Sequence, residues 1–133
     1  MRLADIEGIG PVYARKLTKA GIRGVGSLLT KGATPKGRKE IVAAAGIGHK
    51  LILEWVNLAD LYRIKGVGSE YSDLLEEAGV DTVVELAKRD SKKLYEKMME
   101  VNMKKNLVNQ LPSRKQVGKW VQQAKRLPRV VKY

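Results

Sequence analysis

The sequence IEGIG at residues 6–10 returns as IKGVG at residues 64–68, an offset of 58 positions. In both copies a tyrosine follows the second glycine by three residues, and a leucine follows the tyrosine by four. Across residues 3–44 the same offset pairs eleven identical residues, most of them glycine or apolar. Such a recurrence indicates a duplicated structural unit.

The duplication continues beyond residue 44 at a larger offset. With an offset of 65, the identical residues of the two copies are Lys50, Trp55, Val56 and Ala59 against Lys115, Trp120, Val121 and Ala124. The second copy therefore has seven additional residues near positions 103–111. We predict a first unit at residues 1–60, a second unit at residues 61–127 and a loose basic tail at residues 128–133. Because a unit of about 60 residues buries only a marginal core, we expect the two units to pack together.

The hydrophobic pattern is helical throughout. Apolar residues recur at spacings of three and four, and no stretch alternates with period two, so the chain is predicted to be all-α. The predicted helices are residues 11–20, 25–31, 35–45, 49–62, 69–78, 82–88, 91–101 and 113–127. Side chains suited to helix N-caps are those of Thr34, Asp81 and Ser113, with Pro35 in the first helical position. Residues that indicate helix ends are Gly21, Gly46 and Gly79.

The composition excludes several kinds of chemistry. The chain has 133 residues with no cysteine and a single histidine, His49. It therefore has no disulfide, no thiolate zinc site, no iron–sulfur cluster and no cysteine nucleophile, and we expect neither a catalytic metal nor an organic cofactor. No stretch approaches the roughly 18 apolar residues of a membrane span, and residues 1–10 lack the apolar segment of a signal peptide. We expect a cytoplasmic protein.

The charge is strongly positive and unevenly distributed. Lysine and arginine number 26 against 14 acidic residues, a net charge of +12. Residues 104–133 contain nine basic residues and no acidic one. An excess of this size favours a polyanionic partner, of which nucleic acid is the first candidate.

The full spaced pattern around both glycine pairs resembles the helix-hairpin-helix motif. The residues of the first copy that carry the resemblance are Gly8, Gly10, Tyr13, Leu17, Gly21, Ile22, Val25 and Leu28. A shorter third copy is AGIG at residues 45–48, and the aligned fourth copy, LPS at residues 111–113, has lost both glycines. The chain is also similar to an uncharacterised family built of such tandem motifs.

The resemblance implies a fold and a function. The fold would be two tandem helix-hairpin-helix units, each a small helical bundle of the SAM-like type. In the family resembled, hairpin amides bind the sugar-phosphate backbone along the minor groove of DNA without reading sequence, often with a monovalent cation on the hairpin carbonyls. The partner implied is double-stranded DNA.

Physical chemistry explains why the hairpin needs these residue types. The first glycine permits a tight turn, the apolar residue anchors the turn, and the second glycine lets the backbone approach a ligand. The turn opens a helix whose first amides have no intrahelical acceptor and whose dipole is positive there, so a phosphate oxygen suits the position. The residues predicted to contact nucleic acid are Gly8, Ile9, Gly10, Arg15, Lys16, Lys19, Gly46, Gly48, His49, Lys50, Ser113, Arg114, Lys115, Lys119 and Arg126.

The second hairpin differs from the first because the helix that follows it is acidic. The counterparts of Val12, Arg15 and Lys19 are Glu70, Asp73 and Glu77, which would repel phosphates. We therefore expect the hairpin at Gly66–Gly68 to be structural or to face a basic surface of a partner, and the acidic face at residues 70–77 to suit a protein partner. Trp55 and Trp120 occupy equivalent apolar positions and are predicted core anchors.

The acidic residues do not suggest an enzyme. DNA glycosylases with this motif place a catalytic aspartate about twenty residues beyond the hairpin, yet no aspartate lies between Asp5 and Asp60. The acids of residues 70–77 lie along one short helix rather than converging on a metal. We predict a non-catalytic module that binds nucleic acid. The alternatives are a protein-interaction scaffold and an auxiliary subunit of a DNA repair or nuclease complex.

Overall fold

The computed structural model describes residues 2–133, and within that range the chain is helical without any strand. The all-α prediction is confirmed. A single 3-10 turn at Leu3–Asp5 precedes the α-helices, which are α1 (Gly10–Lys19), α2 (Val25–Gly32), α3 (Pro35–Ala45), α4 (His49–Leu61), α5 (Ser69–Glu77), α6 (Val83–Ala87), α7 (Ser91–Lys105) and α8 (Arg114–Arg126). Among these helices none has the length and apolar character that crossing a membrane requires.

The chain forms two compact units. One extends to Asp60 and also contains Val130–Tyr133, and the other is Leu61–Arg129. Helix α4 ends at Leu61, so no loop separates its last turn from the start of the second unit. The buried tryptophans Trp55 and Trp120 are each only 1% exposed, which confirms them as core anchors.

The helix ends repeat between the units. The amide of Ile22 donates to Leu17 at 2.9 Å, and the amide of Val80 donates to Leu75 at the same distance. The glycines just before them, Gly21 and Gly79, have φ of +91° and +94°. This left-handed conformation costs least at glycine, so the predicted stops at these two positions are confirmed.

The N-caps are confirmed at two of the three predicted positions. The side chain of Thr34 accepts a hydrogen bond from the Gly37 amide, and that of Ser113 accepts one from Gln116. Asp81 is not a cap. Thr82 has the extended backbone of an N-cap and accepts from the Glu85 amide, so α6 begins one residue later than predicted.

The extra residues of the second copy lengthen α7 and form the loop after it. Helix α7 has 15 residues where α3 has 11, and it ends at Asn106 with a left-handed φ of 50°. The side chain of Asn102 then donates to the Val108 carbonyl at 3.1 Å and accepts from the Val108 amide at 3.0 Å. Val108 is buried, so one asparagine holds this loop against its own core.

The expectation of a loose tail is wrong. Val131 is 3% exposed, the Lys132 amide donates to the Ala33 carbonyl at 2.7 Å, and the Tyr133 hydroxyl donates to Asn57 at 3.0 Å. The guanidinium of Arg38 donates to the carbonyls of Gly32 and Lys132, each at 2.8 Å. Residues 130–133 are therefore part of the first unit, because Val131 fills an apolar site and the Lys132 carbonyl accepts a hydrogen bond from the buried Arg38 guanidinium.

We expect Val131→Ala to lower the free energy of unfolding by about 2 kcal/mol, because it removes two buried methyl groups and leaves a cavity. Urea denaturation monitored by tryptophan fluorescence measures the change. Lys132→Ala is the matched control: its exposed side chain is lost while its backbone bonds remain, so its effect should stay within about 0.5 kcal/mol. Equal stabilities of the two variants would show that the tail does not support the first unit.

Candidate nucleic-acid interface

The two glycine turns have the same backbone geometry at their first glycine. Gly8 and Gly66 have φ of +87° and +95°. The amide of Ile9 donates to Ile6 at 3.1 Å, and that of Val67 donates to Ile64 at 3.1 Å. A side chain at either glycine would force a strained conformation, so the residue type follows from the turn itself.

A tryptophan packs against each turn. A Cβ atom added to Gly8 would lie 3.4 Å from Nε1 of Trp55, and one added to Gly66 would lie 3.1 Å from Nε1 of Trp120. The rings of Tyr13 and Tyr71 pack on the same indoles with centroids 5.1 and 5.3 Å apart. In each unit, therefore, the last helix lies directly against the turn.

In the first unit, the basic residues predicted on α1 are exposed. Arg15, Lys16 and Lys19 all lie on the surface, and Nζ of Lys16 is 5.8 Å from the ring centroid of Tyr13. Because Tyr13 packs on Trp55, this basic face is beside the Gly8 turn. Helix α1 begins at Gly10, whose φ of +61° differs from the extended backbone of its counterpart Gly68.

Ile9 was predicted to contact nucleic acid, but the structure places it in the core. Its side chain is 2% exposed, and its amide donates to Ile6. It anchors the turn in the core and has no amide hydrogen left for a phosphate.

In the turn before α4, one of the predicted contact residues has a structural role and the others are exposed. The amide of Gly46 donates to Val42 at 2.9 Å, and its φ of +68° ends α3, so its role is that of a helix stop. Gly48, His49 and Lys50 are exposed at the start of α4. Trp55 lies six residues further along α4, about 9 Å along the helix axis, so these residues are one and a half turns from the Gly8 contact.

In the second unit, α8 separates an apolar side from a basic side. Val117, Trp120, Val121 and Ala124 are buried. The exposed residues on the opposite side are Lys115, Lys119, Gln122 and Arg126. None of the ion pairs between described residues involves these three cations, so their charge is not neutralised within the chain.

The start of α8 retains hydrogen-bond donors. The Ser113 oxygen accepts from the Gln116 amide at 3.1 Å, which leaves its hydroxyl hydrogen available to donate. The amides of Arg114 and Lys115 lie in the first turn, where helix geometry offers no acceptor. The Arg114 guanidinium lies 5.4 Å from the ring centroid of Tyr95 and is exposed.

The structure brings Gly66 to the basic helix, which sequence reasoning missed. One groove is lined by Lys65, Gly66, Ser113, Lys115, Gln116, Lys119, Trp120 and Gln123. The amide of Lys65 donates to Gln123 at 2.7 Å and ties the turn to α8. The basic residues beside this turn therefore belong to the chain itself, whereas the sequence had suggested a structural role or a basic partner surface. A signal was available: Trp120 is the counterpart of Trp55, and Lys119 and Lys115 precede it by one and five residues.

The other end of the same turn has different neighbours. Gly68 lines a second groove with Glu70, Tyr71 and Gln110, and Gly66 borders this groove as well. The acidic residues near α5 are partly neutralised, since Glu77 forms an ion pair with Lys105 and Asp73 and Glu76 also have interactions within the chain.

The described residues contain no group of three or more histidine, aspartate or glutamate side chains arranged to hold a metal ion.

The chain belongs to the family described as a domain of unknown function, DUF4332, whose model matches residues 7–127. The matched range includes both glycine turns and the whole of α8. Neither the curated proteins nor the solved structures provide a match to this chain.

We expect Gly66→Ala to lower the free energy of unfolding by about 1–3 kcal/mol. Alanine would have to adopt the left-handed backbone of this position, and its Cβ would lie close to Trp120. Chemical denaturation gives the value. Gly48→Ala serves as the control: nothing lies within 4 Å of its added Cβ and its φ is ordinary, so only a cap preference worth less than about 1 kcal/mol is lost. If Gly48→Ala proved the costlier change, the account of the Gly66 turn would be wrong.

Proposed function

We propose that this protein is a non-catalytic module that binds the phosphate backbone of double-stranded DNA with little dependence on sequence. The observation that carries the proposal is the basic face of α8 beside the Gly66 turn. Lys115, Lys119 and Arg126 form one exposed stripe without an acidic partner among the described residues, and Gly66 and Ser113 line the adjoining groove.

The arrangement suits phosphates for electrostatic reasons. Lysine and arginine supply full charges along α8, and the positive end of its helix dipole coincides with the Ser113 hydroxyl and the free amides. Phosphate oxygens accept hydrogen bonds and carry negative charge, so they match both features. A neutral ligand would match only the hydrogen-bond donors, and a cationic ligand would match neither feature.

The first unit offers a second surface of the same chemistry. Here the charge lies on α1, at Arg15, Lys16 and Lys19, next to the Gly8 turn rather than on the last helix. We assign both glycine turns to helix-hairpin-helix units on the strength of their spacing and the backbone geometry that Gly8 and Gly66 share. A monovalent cation at these turns fits the proposal, since the carbonyls of Ile6 and Ile64 each accept one amide and retain a second lone pair.

Binding through phosphates has a characteristic thermodynamic signature. Such contacts position a protein on a duplex without reading bases. Dissociation constants are expected at about 10⁻⁴–10⁻⁶ M at physiological salt, with a log–log salt slope near −0.9 for each phosphate neutralised. A titration of random duplex, single strand and duplex RNA at two salt concentrations tests the proposal directly. Absence of salt-dependent binding to all three would favour the protein-interaction scaffold instead.

We expect Lys115→Glu with Lys119→Glu to weaken binding to a random duplex by about tenfold or more and to reduce the salt slope by about two units, because two phosphate contacts are lost. Fluorescence anisotropy at several salt concentrations measures both quantities. Lys93→Glu with Lys97→Glu changes the net charge equally on exposed positions of α7. Equal losses in the two double variants would show that only overall charge matters.

We also expect Lys16→Glu with Lys19→Glu to weaken duplex binding while circular dichroism shows an unchanged helix content. The reason is local repulsion beside the Gly8 turn, where phosphates would approach the first amides of α1. Unchanged affinity in this variant, together with a loss in the α8 variant, would confine binding to the second unit.

A further inference from the structure

A second cleft borders α8 and shares Lys115, Lys119 and Gln123 with the groove beside Gly66. It has a volume of about 680 Å³ and lies wholly within the second unit. Its lining residues come from α8 and from the junction of α6 and α7: Arg89, Asp90, Ser91, Lys115, Gly118, Lys119, Val121, Gln122, Gln123, Lys125 and Arg126.

Gly118 in this cleft has no structural reason to be glycine. It lies inside α8, where glycine is less favourable than alanine because it loses more conformational freedom on folding. Its φ is not left-handed, and a Cβ atom added to it would meet nothing within 4 Å. Neither the backbone nor the packing of the chain therefore explains the missing side chain.

The first unit shows that the fold accepts a side chain here. The counterpart of Gly118 on α4 is Leu53, at the offset of 65 that relates the two helices. The first unit is also closely packed nearby, because a Cβ atom added to Gly32 would lie 2.4 Å from a methyl carbon of Val56. The counterpart of Val56 is Val121, which lines the open cleft. The second unit thus has a cleft beside Val121, whereas the first unit is packed at the equivalent Val56.

The charge around Gly118 is suited to an anion. Lys115, Lys119, Lys125 and Arg126 surround it on α8. Asp90 is the acidic residue of the lining, and its carboxylate accepts hydrogen bonds from the amides of Lys92 and Lys93 at 3.0 and 3.1 Å. The four cations of α8 outnumber this one carboxylate, so the cleft is positive overall.

We propose that Gly118 is the point at which a DNA strand lies directly on the backbone of α8, with one phosphodiester seated in the cleft between α8 and the start of α7. The missing side chain allows the close approach, and Lys115 and Lys119 flank the strand. This inference rests on the proposed function and adds to it a residue and a cleft at which the strand is bound.

The test uses the full chain with Gly118→Ala and Gly118→Leu, the second of which restores the side chain found in the first unit. Both replace a mid-helix glycine by a better helix former, so thermal unfolding should occur about 2–4 °C higher. Binding to a random duplex should weaken by about threefold for alanine and about tenfold for leucine, in the order of side-chain size. A gain in stability with a loss of affinity is not expected of a merely structural glycine.

Gly26→Ala is the matched control, because Gly26 also lies in a helix with nothing within 4 Å of an added Cβ. It should gain stability and keep its affinity. Nuclear magnetic resonance supplies a second measurement: on titration with the duplex, the Gly118 amide resonance should shift and that of Gly26 should not.

Wild-type affinity in both Gly118 variants, with salt-dependent binding by the unmodified chain, would overturn the inference and leave the proposed function standing. If the unmodified chain binds no duplex at low salt, the proposed function fails and this inference fails with it.

Discussion

In each unit the indole of a tryptophan lies against a glycine whose backbone is left-handed. Trp55 meets Gly8 and Trp120 meets Gly66, and a tyrosine ring from the following helix completes each contact. Glycine adopts that φ without strain and has no side chain to occupy the space that the indole fills. The contact fixes how far the turn lies from the last helix, and hence which exposed side chains of that helix lie near the turn. The charge beside Gly66 depends on it.

The two units use one scaffold for different surfaces. Helices α4 and α8 have 13 residues each and bury equivalent tryptophans, yet Glu54 of α4 corresponds to Lys119 of α8. Positive charge lies on α1 in the first unit and on α8 in the second, while α5 is acidic. Duplication leaves the buried contacts in common, because packing restrains the core far more than the solvated face.

Contacts made by loop and tail residues complete both units. The side chain of Asn102 holds the loop that the first unit lacks, and the residues after Arg129 return to pack on the first unit through Val131. Arg38 shows why the return matters, since burial lowers the pKa of its guanidinium and Lys132 supplies one of its two carbonyl acceptors. A buried cation without such partners would be costly.

The amino-acid sequence by itself determined the helical class, the repeat, the stops at Gly21 and Gly79 and the burial of both tryptophans. These features are local, because spacing along a helix and the backbone freedom of glycine act within a few residues, and the repeat is visible by comparing the chain with itself. Only the tertiary structure decided that Gly66 lies beside Lys115 and Lys119, that Glu77 pairs with Lys105 and that Val131 is buried. Those residues are far apart in sequence, and their meeting depends on the direction in which helices pack, which no local pattern encodes.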